Sequence, residues 1–292
     1  MTERKWAGTT YGNEWMHKGL ICTLKVIDIR LLYAFAFIFI VPICLIRNVS
    51  YSIIYHYFRC HFRFSPLRAF YKTYINHCLF AQTVIDKFAM YAGRKFKINI
   101  EGHDHFLSLS EKNEGFMLLS AHIGNYEIAG YTLITESKPI NALVFQGEKN
   151  SIMANRKKMF TGSNIRMIPV GKDMEHLFEI EHALTNGEIV SLAADRIFGS
   201  SKTITTDFLD AEAHFPQGPF SVATIRNLEV LAVNVMKTSL TGYTIYISPL
   251  HYDKKAPYKK RIYQLATAYV TELERIIRLY PTQWYNYFDF WT

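Results

Sequence analysis

Cysteine is scarce in this chain. Its four residues, Cys22, Cys44, Cys60 and Cys78, all fall within the first 80 positions, and none stands in a Cys-x-x-Cys pair. Neither a zinc ribbon nor a disulfide framework is indicated, and a reducing compartment is the default. A Gly-x-Ser-x-Gly elbow is missing, so a serine hydrolase is not suggested. So is a Gly-x4-Gly-Lys-Ser/Thr phosphate loop. Residues 1–19 lack a secretory pattern, and repeats and low-complexity tracts are absent. His103-Asp104-His105 gathers three potential ligands, but no further cluster stands at a diagnostic spacing. No metal is expected there, and 102–105 reads as a turn between a strand and the next helix.

Acid is almost missing from residues 57–97. Asp86 stands alone against Arg59, Arg63, Arg68, Lys72, Lys87, Arg94, Lys95 and Lys97, with aromatics interleaved. Basic amphipathic helices of this kind can lie on an anionic leaflet, each cation contributing about 1 kcal/mol near the surface. They could also bind RNA, but the neighbouring segment favours a membrane, and no nucleic acid is expected. That segment, Leu31–Ile46, runs without a charge between Arg30 and Arg47. It is slightly short for a spanning helix of about 17–25 residues. Spanning and re-entry both stay open, and Pro42 could kink it. The positive-inside tendency places the rest of the chain in the cytoplasm.

What is present is a folded, apolar-rich chain. Of 292 residues 49% are hydrophobic and 15% aromatic, enough for one sizeable core with an appendage. Lys and Arg outnumber Asp and Glu by 33 to 25, a net charge of +8 that points to an anionic partner. The expected organisation is an N-terminal segment with a membrane anchor (1–48), basic amphipathic helices at the membrane surface (49–97), and an α/β domain (98–292).

In that last part, short apolar runs alternate with helical periodicity. Strands are expected at 96–100, 116–120, 140–145, 165–170, 189–193, 230–236 and 243–247. Helices are expected at 125–135, 149–160, 173–185, 219–227 and 257–280. Such alternation implies a mixed, largely parallel sheet covered by helices. Ligands bind such sheets beyond the carboxyl ends of the strands. His122 and Asp195 each follow one.

The run Ser120-Ala-His-Ile-Gly-Asn-Tyr-Glu127 carries the chemistry. A histidine with a carboxylate in reach is the minimum equipment for deprotonating a hydroxyl. On one helix, positions i and i+5 lie about 140° apart. His122 must therefore sit in the turn before a helix, and Glu127 in its first turns. Gly124 permits the turn and Asn125 suits an N-cap. Arg156 and Arg226 are candidate oxyanion donors or phosphate clamps.

His122-Ile-Gly-Asn-Tyr-Glu127 resembles the His-x-Gly-Asn-Trp-Glu block of the lipid A late acyltransferases, the lauroyl/myristoyl transferase family. Other blocks match in order: Phe145–Arg156, Ala193–Gly199, Phe208–Pro219 and Pro281-Thr-Gln-Trp284. The resemblance covers roughly residues 20–292 and implies a glycerolipid-acyltransferase-like fold. It implies transfer of a fatty acyl chain from an acyl carrier protein thioester, with acyl-coenzyme A as the other donor, to a hydroxyl of a lipid A precursor at the inner membrane. It further implies His122 as base, Glu127 as its orienting partner, and Arg156 and Asp195 completing the catalytic set. Asn125 and Arg226 are the expected substrate-binding residues, and direct transfer needs no cofactor.

Tyr126 stands where the family usually has Trp, and Arg196 replaces the Gln after Asp195. These departures leave open another acceptor of the same chemistry, a glycolipid or an aryl-polyene-type lipid. The competing class is a non-catalytic membrane protein that binds lipid or acyl carrier protein. Residues 5–12 (KWAGTTYG) also depart from the usual lipid A enzymes.

Overall fold

The computed structural model describes residues 12–47, 50–161, 163–171, 175–197 and 202–291. Residues 5–11, Asp173, Phe198 and Gly199, which figured in the expectations above, lie outside them.

Among the described residues five α-helices come first: α1 (Glu14–Val26), α2 (Ile29–Phe35), α3 (Val41–Arg47), α4 (Ser50–Cys60) and α5 (Pro66–Tyr91). Each begins where the sequence supplies a start signal or an apolar face. The side chains of Asn13, Asp28 and Ser65 cap α1, α2 and α5, and Pro66 takes the first helical position of α5. Between α2 and α3, Ala36–Ile40 form a π-helical turn in which the Val41 N–H reaches back to Ala36 O. Pro42 follows directly. Proline has no N–H and its ring crowds the carbonyl four residues back, so the widened turn absorbs the conflict without breaking the helix. Tyr74 Oη donates to the Phe37 carbonyl at 2.5 Å.

Leu24, Ile29, Tyr33 and Ala36 pack against Ile85, Phe88 and Ala89 of α5. The opposite stripe of the same rod stays exposed: Leu31, Phe35, Ile38, Phe39, Ile43 and Ile46. Ile29–Ile46 is long and apolar enough to cross a membrane. Beneath it lies a buried polar cluster. Lys237 pairs with Asp86, and the Tyr33 and Tyr243 hydroxyls donate to the same carboxylate. Burial pushes Asp86 up and Lys237 down, each against the pull of the other.

The remainder is α/β. Its main sheet has seven strands: β1 (Lys97–Glu101), β2 (Phe116–Ser120), β3 (Ile140–Phe145), β4 (Ile165–Val170), β5 (Ile189–Ala193), β8 (Glu229–Ser239) and β9 (Gly242–Pro249). Their order is β1-β9-β8-β2-β5-β3-β4, and every neighbouring pair is parallel except β8–β9. This is the mixed, largely parallel, helix-covered sheet that the alternating pattern implied.

Helices α6 (His103–Ser110), α7 (Glu127–Thr132) and α8 (Asn150–Phe160) contribute to one side; α9 (Glu175–Thr185), α10 (Gly218–Ile225) and α11 (Tyr258–Leu279) to the other. Alternation along the strands separates the two cores. Phe116, Leu118, Val233 and Val235 face the first, while Met117, Leu119 and Ala232 face the second.

Two local expectations change. Residues 102–105 are not merely a turn, because α6 begins at His103. Gly102 takes φ +76°, and a Cβ there would collide with the Ile247 carbonyl. An unexpected hairpin, β6 (Thr203–Phe208) and β7 (Ala211–Pro216), packs on α11. Its turn, Leu209-Asp210, has positive φ at both positions without a glycine. Burial of Leu209 and bonds from its N–H to Glu274 and from His61 to its carbonyl hold that conformation.

Candidate active site

The centre lies beyond the carboxyl ends of β2 and β5. After Ser120 the chain turns through His122, Ile123 and Gly124 before α7. Gly124 has φ +50°, and a Cβ there would strike the Val235 carbonyl, so only glycine fits. The turn is clamped by backbone bonds to residues 283–285. Gly124 N donates to Gln283 O at 2.8 Å, Tyr285 N donates to His122 O at 3.2 Å, and Ile123 bridges Trp284.

The carboxylate on His122 is Asp195, not Glu127. Asp195 Oδ1 is 2.7 Å from the imidazole Nδ1, and Oδ2 accepts the His122 backbone N–H at 2.9 Å. Asp195 is buried. Burial pushes its pKa up, but His122 and the Arg196 charge outweigh that and hold the carboxyl below its ordinary range. An ionised carboxylate only accepts hydrogen bonds. In the neutral ring Nδ1 therefore carries the proton, which leaves the lone pair on Nε2. The Tyr126 ring meets the imidazole edge-on, with centroids 5.7 Å apart.

Glu127, expected to orient His122, instead anchors a cationic cluster in the first turn of α7. Its Oε1 accepts from Arg156 at 2.5 Å and Lys87 at 2.8 Å, and its Oε2 accepts from Tyr91 at 3.3 Å. Burial opposes its charge, yet Lys87 and Arg156 draw its pKa down to about 2. Burial also opposes the Arg156 charge, and Glu127 more than restores it. The physical reason for the change of partner is placement. Asp195 arrives from β5, next to β2, and takes the near side of the imidazole, while α7 turns Glu127 toward α5 and α8.

Lys87 and Tyr91 of α5 were not expected at the site. They lie four residues apart on a face that also carries Val84 and Phe88. A lysine interrupting an apolar helical face was the available signal.

The two expected substrate-binding residues lie elsewhere. Asn125 is buried under α7, its Nδ2 donating to the Tyr243 hydroxyl at 3.4 Å, and it does not cap the helix. Arg226 pairs with Glu181 and donates to Thr185 Oγ1 at 2.7 Å, tying the end of α10 to α9. Neither lines the cavity described next.

His122, Glu127, Arg156 and Arg196 line one cavity of 970 Å³ whose walls are otherwise largely apolar. Arg196 is held by the Tyr285 carbonyl at 3.1 Å. Among the described residues no group of three or more His, Cys, Asp or Glu is placed to hold a metal ion. A histidine braced by a buried carboxylate on the wall of an apolar cavity can deprotonate a hydroxyl beside room for a hydrocarbon chain.

A sequence model of a family described as bacterial lipid A biosynthesis acyltransferase matches residues 82–290. No curated protein matches the chain. Among solved structures, the 1-acyl-sn-glycerophosphate (LPA) acyltransferase PlsC from Thermotoga maritima is 14% identical, with a TM-score of 0.39. That alignment covers 89% of this chain and 98% of the other.

Proposed function

This chain belongs to the bacterial lipid A biosynthesis acyltransferase family and is an acyltransferase acting on lipid; we propose that it moves a fatty acyl chain from an acyl carrier protein thioester to a hydroxyl of a lipid A precursor. The supporting observation is the two-point hold of Asp195 on His122 beside an apolar cavity. His122 Nε2 takes the acceptor's hydroxyl proton as the oxygen attacks the thioester carbonyl. The tetrahedral intermediate collapses, the C–S bond breaks, and the imidazolium returns the proton to the leaving thiolate. Asp195 fixes the tautomer and steadies the imidazolium. Arg156, immobilised by Glu127, supplies positive charge where the oxyanion forms. The thioester provides the activated carbonyl, so no cofactor enters.

The donor and acceptor fit the charge of the chain. Acyl carrier protein is acidic and this chain is basic. Arg196 and Lys202 line the cavity with Arg156 and suit an acceptor that carries phosphate. The protein works at the cytoplasmic face of the inner membrane, held in the hydrocarbon by the exposed apolar stripe of Ile29–Ile46 and drawn to anionic headgroups by the basic side chains of residues 57–97.

The test is transfer of label from acyl carrier protein thioester to a lipid A precursor, with detergent-purified protein and His122→Ala in parallel. Label reaching the lipid only with the intact histidine supports the reading. Label moving instead to another lipid from a total extract replaces the acceptor. No transfer from carrier-protein or coenzyme A donors overturns the assignment of His122.

A further inference from the structure

The cavity at His122 is not confined to one face of the sheet. The β3–β5 ladder pairs only Ile140–Ala142 with Ile189–Ser191, although β3 continues to Phe145 and β5 to Ala193. Beyond Ala142 and Ser191 the ladder stops. This gap lies where the chain order of the sheet reverses, with β5 inserted between β2 and β3. Open parallel sheets bind ligands at such switch points.

The cavity walls follow the gap. On the α7–α8 face they include Leu118, Leu133, Ile140, Phe160, Ile165 and Val233. On the α9–α10 face they include Met117, Leu143, Ile180 and Val222. Side chains that alternate along one strand cannot line a single-sided groove. Met117 and Leu118 both line this one, as do Ala142 and Leu143. The cavity therefore has two apolar arms that meet near Ser120, His122 and Ala193.

We propose that the arms hold two hydrocarbon chains at once, the donor's acyl chain in the α7–α8 arm and an acyl chain of the lipid acceptor in the α9–α10 arm. The proposal rests on the acyltransfer reading of His122. The α7–α8 arm is walled by buried Leu133, Ile140 and Ile165, which suits a chain ending in a methyl group. Arg156 stands one turn along α8 from Phe160, where the donor carbonyl would rest. The other arm carries Leu177, which is partly exposed, together with His176 and Lys202. An amphiphile can leave its polar head there. The volume, 970 Å³, is at the top of the roughly 300–1,000 Å³ range of small-molecule pockets.

Photo-crosslinking decides the matter on the full chain in detergent. One probe is a long-chain acyl-coenzyme A with a terminal diazirine, and the other is lysophosphatidylglycerol with a terminal diazirine. The expected result is acyl-thioester label on peptides of α7 and α8 and lysolipid label on peptides of α9 and α10. Excess unlabelled probe of one kind leaves the other label in place.

Both labels on one face, or mutual displacement, overturn the proposal. Gly130→Leu should lower thioester labelling about tenfold, because a Cβ at Gly130 already touches Phe160 at 3.5 Å. Val222→Phe should do the same to lysolipid labelling, and the reverse pattern rejects the assignment of the arms. The wild-type map stands even where a variant misfolds. Labelling does not require turnover. Split labels on a chain that transfers nothing would refute acyl transfer and keep the two arms; turnover with both labels on one face would do the opposite.

Discussion

Asp195 holds His122 twice, once through the imidazole Nδ1 and once through the backbone N–H of the same residue. The second bond fixes the turn that presents the ring, so Asp195 sets both the tautomer and the position of the base. Asp195→Asn keeps an oxygen for the backbone bond but allows the wrong tautomer. By comparison with serine-protease triads the expected loss is about 10³-fold or more in kcat, with a much smaller effect on Tm. Steady-state transfer rates beside a thermal melt check this. A loss of less than about tenfold would remove Asp195 from the mechanism.

Glu127 carries a pH signature. Its carboxyl is held at about 2 in the folded chain, against an ordinary value of 4.5. A depressed carboxylate stabilises the fold fully above its unfolded pKa, and that contribution is lost as pH falls through the folded value. Glu127→Gln leaves Lys87 and Arg156 facing a neutral amide. It should lower Tm at pH 7, and the gap from wild type should shrink steadily as pH drops from about 4.5 toward 2. A gap that does not change with pH would show that Glu127 is not the anion of the cluster.

Lys237 and Asp86 offer a double-mutant cycle in the core. Removing one partner of a buried pair typically costs about 3–5 kcal/mol, whereas replacing both with apolar residues is often close to neutral. Lys237→Met should therefore destabilise more than Lys237→Met with Asp86→Leu. Urea unfolding of the variants measures the coupling. Strict additivity would mean that the pair does not act as a unit.

Arg226→Ala tests a negative. Its guanidinium is engaged by Glu181 and Thr185 on α9 and stands apart from the cavity. Acyl transfer should stay within about twofold of wild type, as expected of a partly exposed ion pair. A large rise in acceptor KM would return Arg226 to the binding site.

The strands at 116–120, 140–145, 165–170 and 189–193 were legible to the residue, because each is a short, mainly apolar run bounded by polar or turn-forming residues. β6 and β7 were not. Thr203–Phe208 does alternate, but Leu209-Asp210 lacks the Gly or Asn that marks a tight hairpin, and tertiary burial holds it instead. The region of the site was legible from His122 following one strand and Asp195 another. The pairing was not, since sequence distance favours Glu127 over a residue 73 positions away. Lys87 was visible only as a lysine interrupting an apolar face of α5, which does not say what it meets. Asn125 and Arg226 lie off the cavity, because a suitable residue type near the right segment does not fix where its side chain points.

The rod Ile29–Ile46 has one more consequence. Its 18 residues extend about 27 Å, close to the thickness of a hydrocarbon core. Upstream, α1 packs on α5, as does the first part of the rod itself; downstream, α4 begins three residues after Arg47 and buries Ile54, Tyr57 and Phe58 in the catalytic body. Both ends of the rod are thus tied to one folded body, and its exposed apolar stripe faces away from that body.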